Sequence, residues 1–165
     1  MINTKKLISI ILAAALLTGI ASCSAKSPRK TREEPEVNIA ELHKISGPLL
    51  EVKIIPSGEM TREQFEAASN TMTVTYSGDV ILPNPVQKAV LEMSDEDFVS
   101  IYEFCIDCYE HDKYANYSED VCDGTQYSFI YYDQDGQSHK LYSGYIYGND
   151  ELSRVVEIVS GYMIE

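Results

Sequence analysis

Residues 94–112 read SDEDFVSIYEFCIDCYEHD. Ser94 is a capping residue, and Asp95, Glu96 and Asp97 supply the negative charge that the positive end of a helix dipole favours. Behind them Phe98, Ile101, Tyr102, Cys105, Cys108 and Tyr109 recur at steps of three and four. That spacing predicts one helix over about residues 95–112 with a single apolar stripe. Such a stripe needs a surface to cover, and the flanking segments supply strands.

Downstream, Gln126 to Tyr132 is rich in β-formers, and Asp133-Gln134-Asp135-Gly136 turns it with the positive φ that an Asp-Gly step tolerates. Ser138 to Tyr147 returns as its partner. Asn149 can cap a last helix in which Leu152, Val155, Val156, Val159 and Met163 share a face. Upstream, Leu49 to Pro56 (LLEVKIIP) alternates Val52 and Ile54 with Glu51 and Lys53 until Ser57-Gly58 breaks it. Thr61-x-x-Gln64 opens a short helix carrying Phe65 and Ala68. Thr71 to Tyr76 alternates again and turns at Ser77-Gly78-Asp79. Val80-Ile81-Leu82 returns antiparallel as far as Pro83-Asn84-Pro85, and Val86 to Met93 reads as another strand that runs straight into the helix start. Asn38-Ile39-Ala40-Glu41, ahead of Gly47-Pro48, allows one or two helical turns or an extended start. The order strands, helix, hairpin, helix predicts one α+β domain over residues 37–165. Its antiparallel sheet has four to five strands, with two helices packed on one face.

The first 36 residues stand outside that domain. Lys5 and Lys6 precede an uncharged apolar run from Leu7 to Ile20, and Ile20-Ala21-Ser22-Cys23 closes it with small residues before a cysteine. This is the grammar of an export signal, and the run is shorter than the roughly 20 residues a spanning helix needs. With its terminal cysteine the segment resembles the lipobox of bacterial lipoproteins. The resemblance implies a signal peptide over residues 1–22, a diacylglycerol thioether on Cys23, and a lipid anchor on the extracytoplasmic side of the cell membrane. Residues 24–36, SAKSPRKTREEPE, have no large apolar residue, so residues 23–36 read as the lipidated cysteine and a flexible tether. In its Asp123-Gly124-x-x-Tyr127 and Asp133-x-Asp135-Gly136 steps, the last third is similar to small uncharacterised lipoproteins of Gram-positive gut bacteria. That likeness implies no activity.

Removing residues 1–22 takes away Lys5 and Lys6 and leaves 11 basic residues against all 26 acids, a net charge of −15. No basic stripe appears in the body, so nucleic acid is excluded as a partner. Tyrosine is over-used, with 12 residues of which 11 follow residue 100.

Cys105-x-x-Cys108 has the spacing of a redox pair, but reactive pairs sit at helix N-termini, and this one lies about three turns inside a helix among acids. Cys105, Cys108, His111 and Cys122 could make a zinc set only if His111 left the helix, since steps of three drift about 60° around it. A disulfide from Cys108, or Cys105, to Cys122 fits an exported domain, with reduced buried thiols as the alternative. Asp133-x-Asp135-Gly136 opens like a calcium loop, but Gly144 stands where the closing glutamate belongs. No metal or cofactor is expected. His43, His111 and His139 stand apart in sequence, and no nucleophile elbow or phosphate-cradling loop occurs.

Tyr127, Phe129 and Tyr131 alternate with Ser128, Ile130 and Tyr132, and Tyr145 and Tyr147 share a side of the returning strand. Either Tyr127, Tyr131, Tyr145 and Tyr147 form an exposed aromatic face, able to receive a glycan or an envelope protein, or these rings pack beneath a helix or loop. The expected role is a non-catalytic binding or interaction module of the cell envelope. The alternatives are a carboxylate-based envelope hydrolase and a structural subunit of an envelope complex. A pocket holding two carboxylates or a His–carboxylate pair promotes the enzyme, and a flat exposed aromatic face promotes binding.

Overall fold

The computed structural model describes residues 37–68, 70–82, 89–121 and 123–163. Its elements in chain order are α1 (Ile39–Leu42), β1 (Pro48–Ile55), α2 (Arg62–Ala68), β2 (Asn70–Thr75), β3 (Asp79–Leu82), β4 (Ala89–Glu92), α3 (Asp95–His111), β5 (Gln126–Tyr132), β6 (Ser138–Tyr145) and α4 (Asp150–Ser160). The export signal, Cys23, the tether and Cys122 lie outside the described residues.

The architecture is α+β, with one open antiparallel sheet in the order β4-β3-β2-β1-β5-β6. The expected four to five strands become six, because the short segments β3 and β4 both pair, Ile81 opposite Val90 and Val80 opposite Leu91. Beside the two helices expected on the sheet, the segment after Asn38 forms the short helix α1 and the short helix expected after Thr61 forms as α2.

The caps read in the sequence form. Ser94 Oγ accepts the Asp97 amide at 3.2 Å and Asn149 Oδ1 accepts the Leu152 amide at 2.9 Å. Thr61 and Gln64 make a reciprocal box, with side chain to amide bonds of 2.9 and 3.2 Å. This satisfies donors at the open end of a helix that have no partner within it. Asn38 makes no side-chain cap, and α1 runs only four residues. Helix α4 stops at Ser160, so Met163 falls past its end and is exposed rather than sharing its face.

The core lies between one sheet face and the helices. Leu50, Val52, Met72, Val74, Val80, Phe129 and Tyr142 come from the strands, Phe98, Ile101 and Cys105 from α3, and Leu152, Val155 and Val159 from α4, all in one buried cluster. Helices α3 and α4 run antiparallel. Tyr162 beyond α4 donates to Asp97 Oδ2 at 2.7 Å at the start of α3, and Lys113 just past α3 bonds Glu151 at 2.9 Å.

Strand β6 is a sheet edge, and exposed edges invite pairing with other chains. Here the connection after α3 runs along it. The Tyr114 and Tyr117 rings each lie 6.1 Å from the Tyr142 ring, and the Glu119 carboxylate accepts the Tyr147 and Gly148 amides at 2.7 and 2.9 Å. Partial burial works against the charge on Glu119. The Gly148 amide, the Tyr117 hydroxyl and the Tyr147 amide outweigh that and hold its carboxyl below the usual range.

The β6 edge also carries an irregularity. His139 is opposite Tyr131 and Tyr142 opposite Phe129, four residues on one strand against three on the other. The extra residue reverses the parity of everything after it. Past the bulge, Gly144 leaves room for the Tyr142 ring. A Cβ there would lie 2.8 Å from Tyr142 Oη, whose hydroxyl is already bonded to the Tyr145 carbonyl. Gly144→Ala is therefore expected to destabilise the fold by about 1–3 kcal/mol through overpacking, read as a lower urea midpoint with unchanged slope.

Candidate interaction surface and the His139–Asp133 pair

The sequence left two readings of the tyrosines, and the structure divides them. Tyr131 is 3% exposed, under α3, with the Tyr109 ring 5.5 Å away. Tyr127 is half-buried and packs against the core, on the same face as Phe129. Tyr145 is opposite Gln126, so it lies on the other face, and Gln126 Nε2 donates to its hydroxyl at 3.1 Å. Tyr147 is 85% exposed but sits beyond the end of β6. The four rings therefore do not make one exposed aromatic face. Helix α3 covers the face that holds Tyr127 and Tyr131, and the β6 bulge turns Tyr145 away from it.

Cys105 and Cys108 are free, buried thiols. Burial raises both, and Cys108 is pushed up to about 12, with nearby Glu151 adding to the effect. A thiol so disfavoured as thiolate is a poor nucleophile. In the native protein neither is expected to react with iodoacetamide at neutral pH, and both should react in denaturant, as peptide mass spectrometry will read. Among the described residues no group of three or more His, Cys, Asp or Glu is placed to hold a metal ion. No described helix is long and apolar enough to cross a membrane.

Two features were not singled out from the sequence. The first is the sheet face that no described helix covers. None of its side chains is buried. The strand register lays them out in rows, and one row runs Val90, Ile81, Thr73, Glu51, Ile130, Lys140 across all six strands. Val90 is 64% exposed and Ile81 39%, side by side. The signal for this was present in Val80-Ile81-Leu82, because three successive apolar residues on a strand cannot all point inward. Charge separates the two sides of the molecule. Helices α3 and α4 together carry nine acids against Arg154 and, at the end of α3, His111. The uncovered face carries Glu51, Asp79 and Glu92 against Lys53 and Lys140 and, apart from the Gln126 amide, is otherwise hydroxyl-bearing or apolar. Glu51 Oε2 accepts the Tyr132 hydroxyl at 3.0 Å.

The second feature is a His–carboxylate pair. His139 Nε2 lies 2.8 Å from Asp133 Oδ2, while Asp133 Oδ1 accepts the Asp135 and Gln137 amides at 3.0 and 2.8 Å. His139 foremost, then these amides, hold the Asp133 carboxyl below its usual range. The imidazole packs on Tyr109 at 4.4 Å, beside a half-enclosed pocket of about 320 Å³ whose walls include Cys108, Asp112, Ser138 and His139. The sequence hid this pair, because it depends on how the hairpin turn folds Asp133 back over position 139.

No protein-family model, no curated protein and no solved structure matches the chain, so its functional reading rests on its own residues.

Proposed function

We propose that this chain is a lipid-anchored, non-catalytic interaction domain of the cell envelope, held by Cys23 on the extracytoplasmic side of the membrane. It meets its partner through the uncovered sheet face. The anchoring half rests on the lipobox-like segment ending at Cys23. The interaction half rests on one observation, the asymmetry between an acidic helix layer and a sheet face of low net charge that exposes Ile81 and Val90 together. Acids in water resist desolvation, whereas adjacent apolar side chains gain by it, so association favours the sheet side.

Each half has its own test. Cys23→Ser should move the protein from the membrane fraction to the soluble exported fraction, and retention on membranes after carbonate washing would sink the anchor. A photo-crosslinking residue in place of Val90 should capture a partner in living cells, and one in place of exposed Glu103 on α3 should not. Equal capture from both positions would remove the sheet face from the proposal.

A second reading, an envelope hydrolase, has one specific observation behind it, the 2.8 Å His139–Asp133 contact beside a pocket. In that reading His139 is the base and Asp133 orients it. The two amides on Asp133 and the ring packing of His139 also explain the pair fully as a staple of the β5–β6 turn. Hydrolysis of model esters or glycosides that disappears in His139→Gln would favour the enzyme.

A further inference from the structure

We propose that the partner at the uncovered face is a second copy of this chain, the two sheets packing face to face with both helix layers outward. This rests on the reading of that face as the interaction surface, and goes beyond it by naming the occupant.

Charge limits the choices. The chain carries −13 overall. Joining two copies through α3 and α4 would bring nine acids from each together, whereas joining them through the sheets keeps those acids in water on opposite sides. The low charge of the sheet face is what self-association of so acidic a chain needs.

The strand order supplies the complementarity. In β4-β3-β2-β1-β5-β6 the midline falls between β2 and β1. A two-fold axis along the strands at that midline sets each strand opposite its mirror position, as an isologous interface requires. Ile81 then meets Ile130 of the second copy, Val90 meets the aliphatic stem of Lys140, and Glu51 meets the Thr73 hydroxyl. In the next row, where Asp79 pairs Glu92 on one side and Tyr132 pairs Ser138 on the other, Asp79 meets Tyr132 and Glu92 meets Ser138. Apolar groups thus meet apolar groups, Glu51 and Glu92 meet hydroxyl donors, Asp79 keeps the Ser77 hydroxyl of its own chain, and no two like charges face each other. Sheets packed this way keep their strands within about 30° of parallel, so the strands nearest the axis keep their partners while the outermost shift the most.

The area is adequate. Six strands about 4.8 Å apart and about six residues long cover roughly 600 Å² in projection. Accessible surface on a corrugated face is larger, and a standard interface takes about 800 Å² from each partner.

The test uses the full chain in mild detergent, followed by sedimentation velocity over a wide concentration range. Wild type is expected to associate to a dimer, more strongly as added salt screens the net charge. Ile81→Glu places two unpaired carboxylates in the homodimer and Ile130→Lys two unpaired ammoniums. Each is expected to weaken the dimer by roughly a hundredfold or more. Mixed in equal amounts, the two variants should dimerise again, because the mixed pair contains one ion pair and one native Ile81–Ile130 contact. Circular dichroism of each variant shows that the fold is kept. Wild type that stays monomeric at every concentration overturns the proposal, as does a dimer indifferent to both variants or a mixture that stays monomeric. If the chain is monomeric while position 90 crosslinks to a different envelope component, self-pairing falls and the interaction role stands.

Discussion

Phe129→Ala is expected to cost about 3–5 kcal/mol, a large share of the roughly 5–15 kcal/mol that holds an ordinary domain folded. Phe129 is fully buried at the middle of β5, paired with Val52 on one side and Tyr142 on the other. Its ring stands edge-on to Phe104 of α3 at 5.9 Å and to Tyr142 at 6.0 Å. Truncation opens a cavity where sheet and helix layers meet, and three neighbouring elements would have to shift together to fill it. The adjacent Ile130 points to the uncovered face, so Ile130→Ala should cost about 1 kcal/mol or less. Urea denaturation of the pair tests the assignment of faces directly. Equal losses at the two positions would mean that the sheet is not covered on one side only.

The second large effect is alkaline unfolding. Burial, the leading cause in each case, raises the hydroxyls of Tyr76, Tyr102, Tyr114, Tyr131, Tyr132 and Tyr142 above the ordinary phenol value, Tyr114 to about 12. In the unfolded chain these phenols ionise near pH ~10. Above that pH the unfolded state has lost protons that the folded state still holds, so the slope of stability against pH is negative. The contribution is fully present below pH ~10 and is lost as the pH rises through the folded values. Six groups acting together make the loss steep, and unfolding is expected between about pH 10 and 12. Tyrosinate absorbance and far-UV circular dichroism should change in one step. Absorbance rising well before the dichroism falls would show that the rings are not held in the core. The acid side is milder. Asp107 is lowered chiefly by its bond to Lys113, and Asp133 chiefly by His139. Their contribution is present above about pH 4 and is lost as the pH falls below it, but both sit near solvent, where screening keeps such terms small.

The sequence by itself determined the local grammar. The Ser94 and Asn149 caps, the Thr61–Gln64 box, the Asp133–Gly136 turn and the alternation of Val52 with Lys53 are set by contacts within a few residues, and each forms as its residues require. It also set the class of the fold, because a helix with one apolar stripe beside alternating strands has few ways to bury its apolar side. What tertiary structure alone decided was which side of each strand became interior, and for how long. The bulge in β6 changes parity where no turn residue marks it, separating Tyr145 from Tyr131, and α3 settles on the face that carries Tyr127 and Tyr131. The pairing of β4 with β3, the fold-back of His139 onto Asp133 and the row from Val90 to Lys140 arise in the same way. The row from Val90 to Lys140 joins residues far apart in the chain, and the nearer pairs, Ile81 with Val90 and Asp133 with His139, depend on a strand register and a turn conformation that the residue pattern does not set.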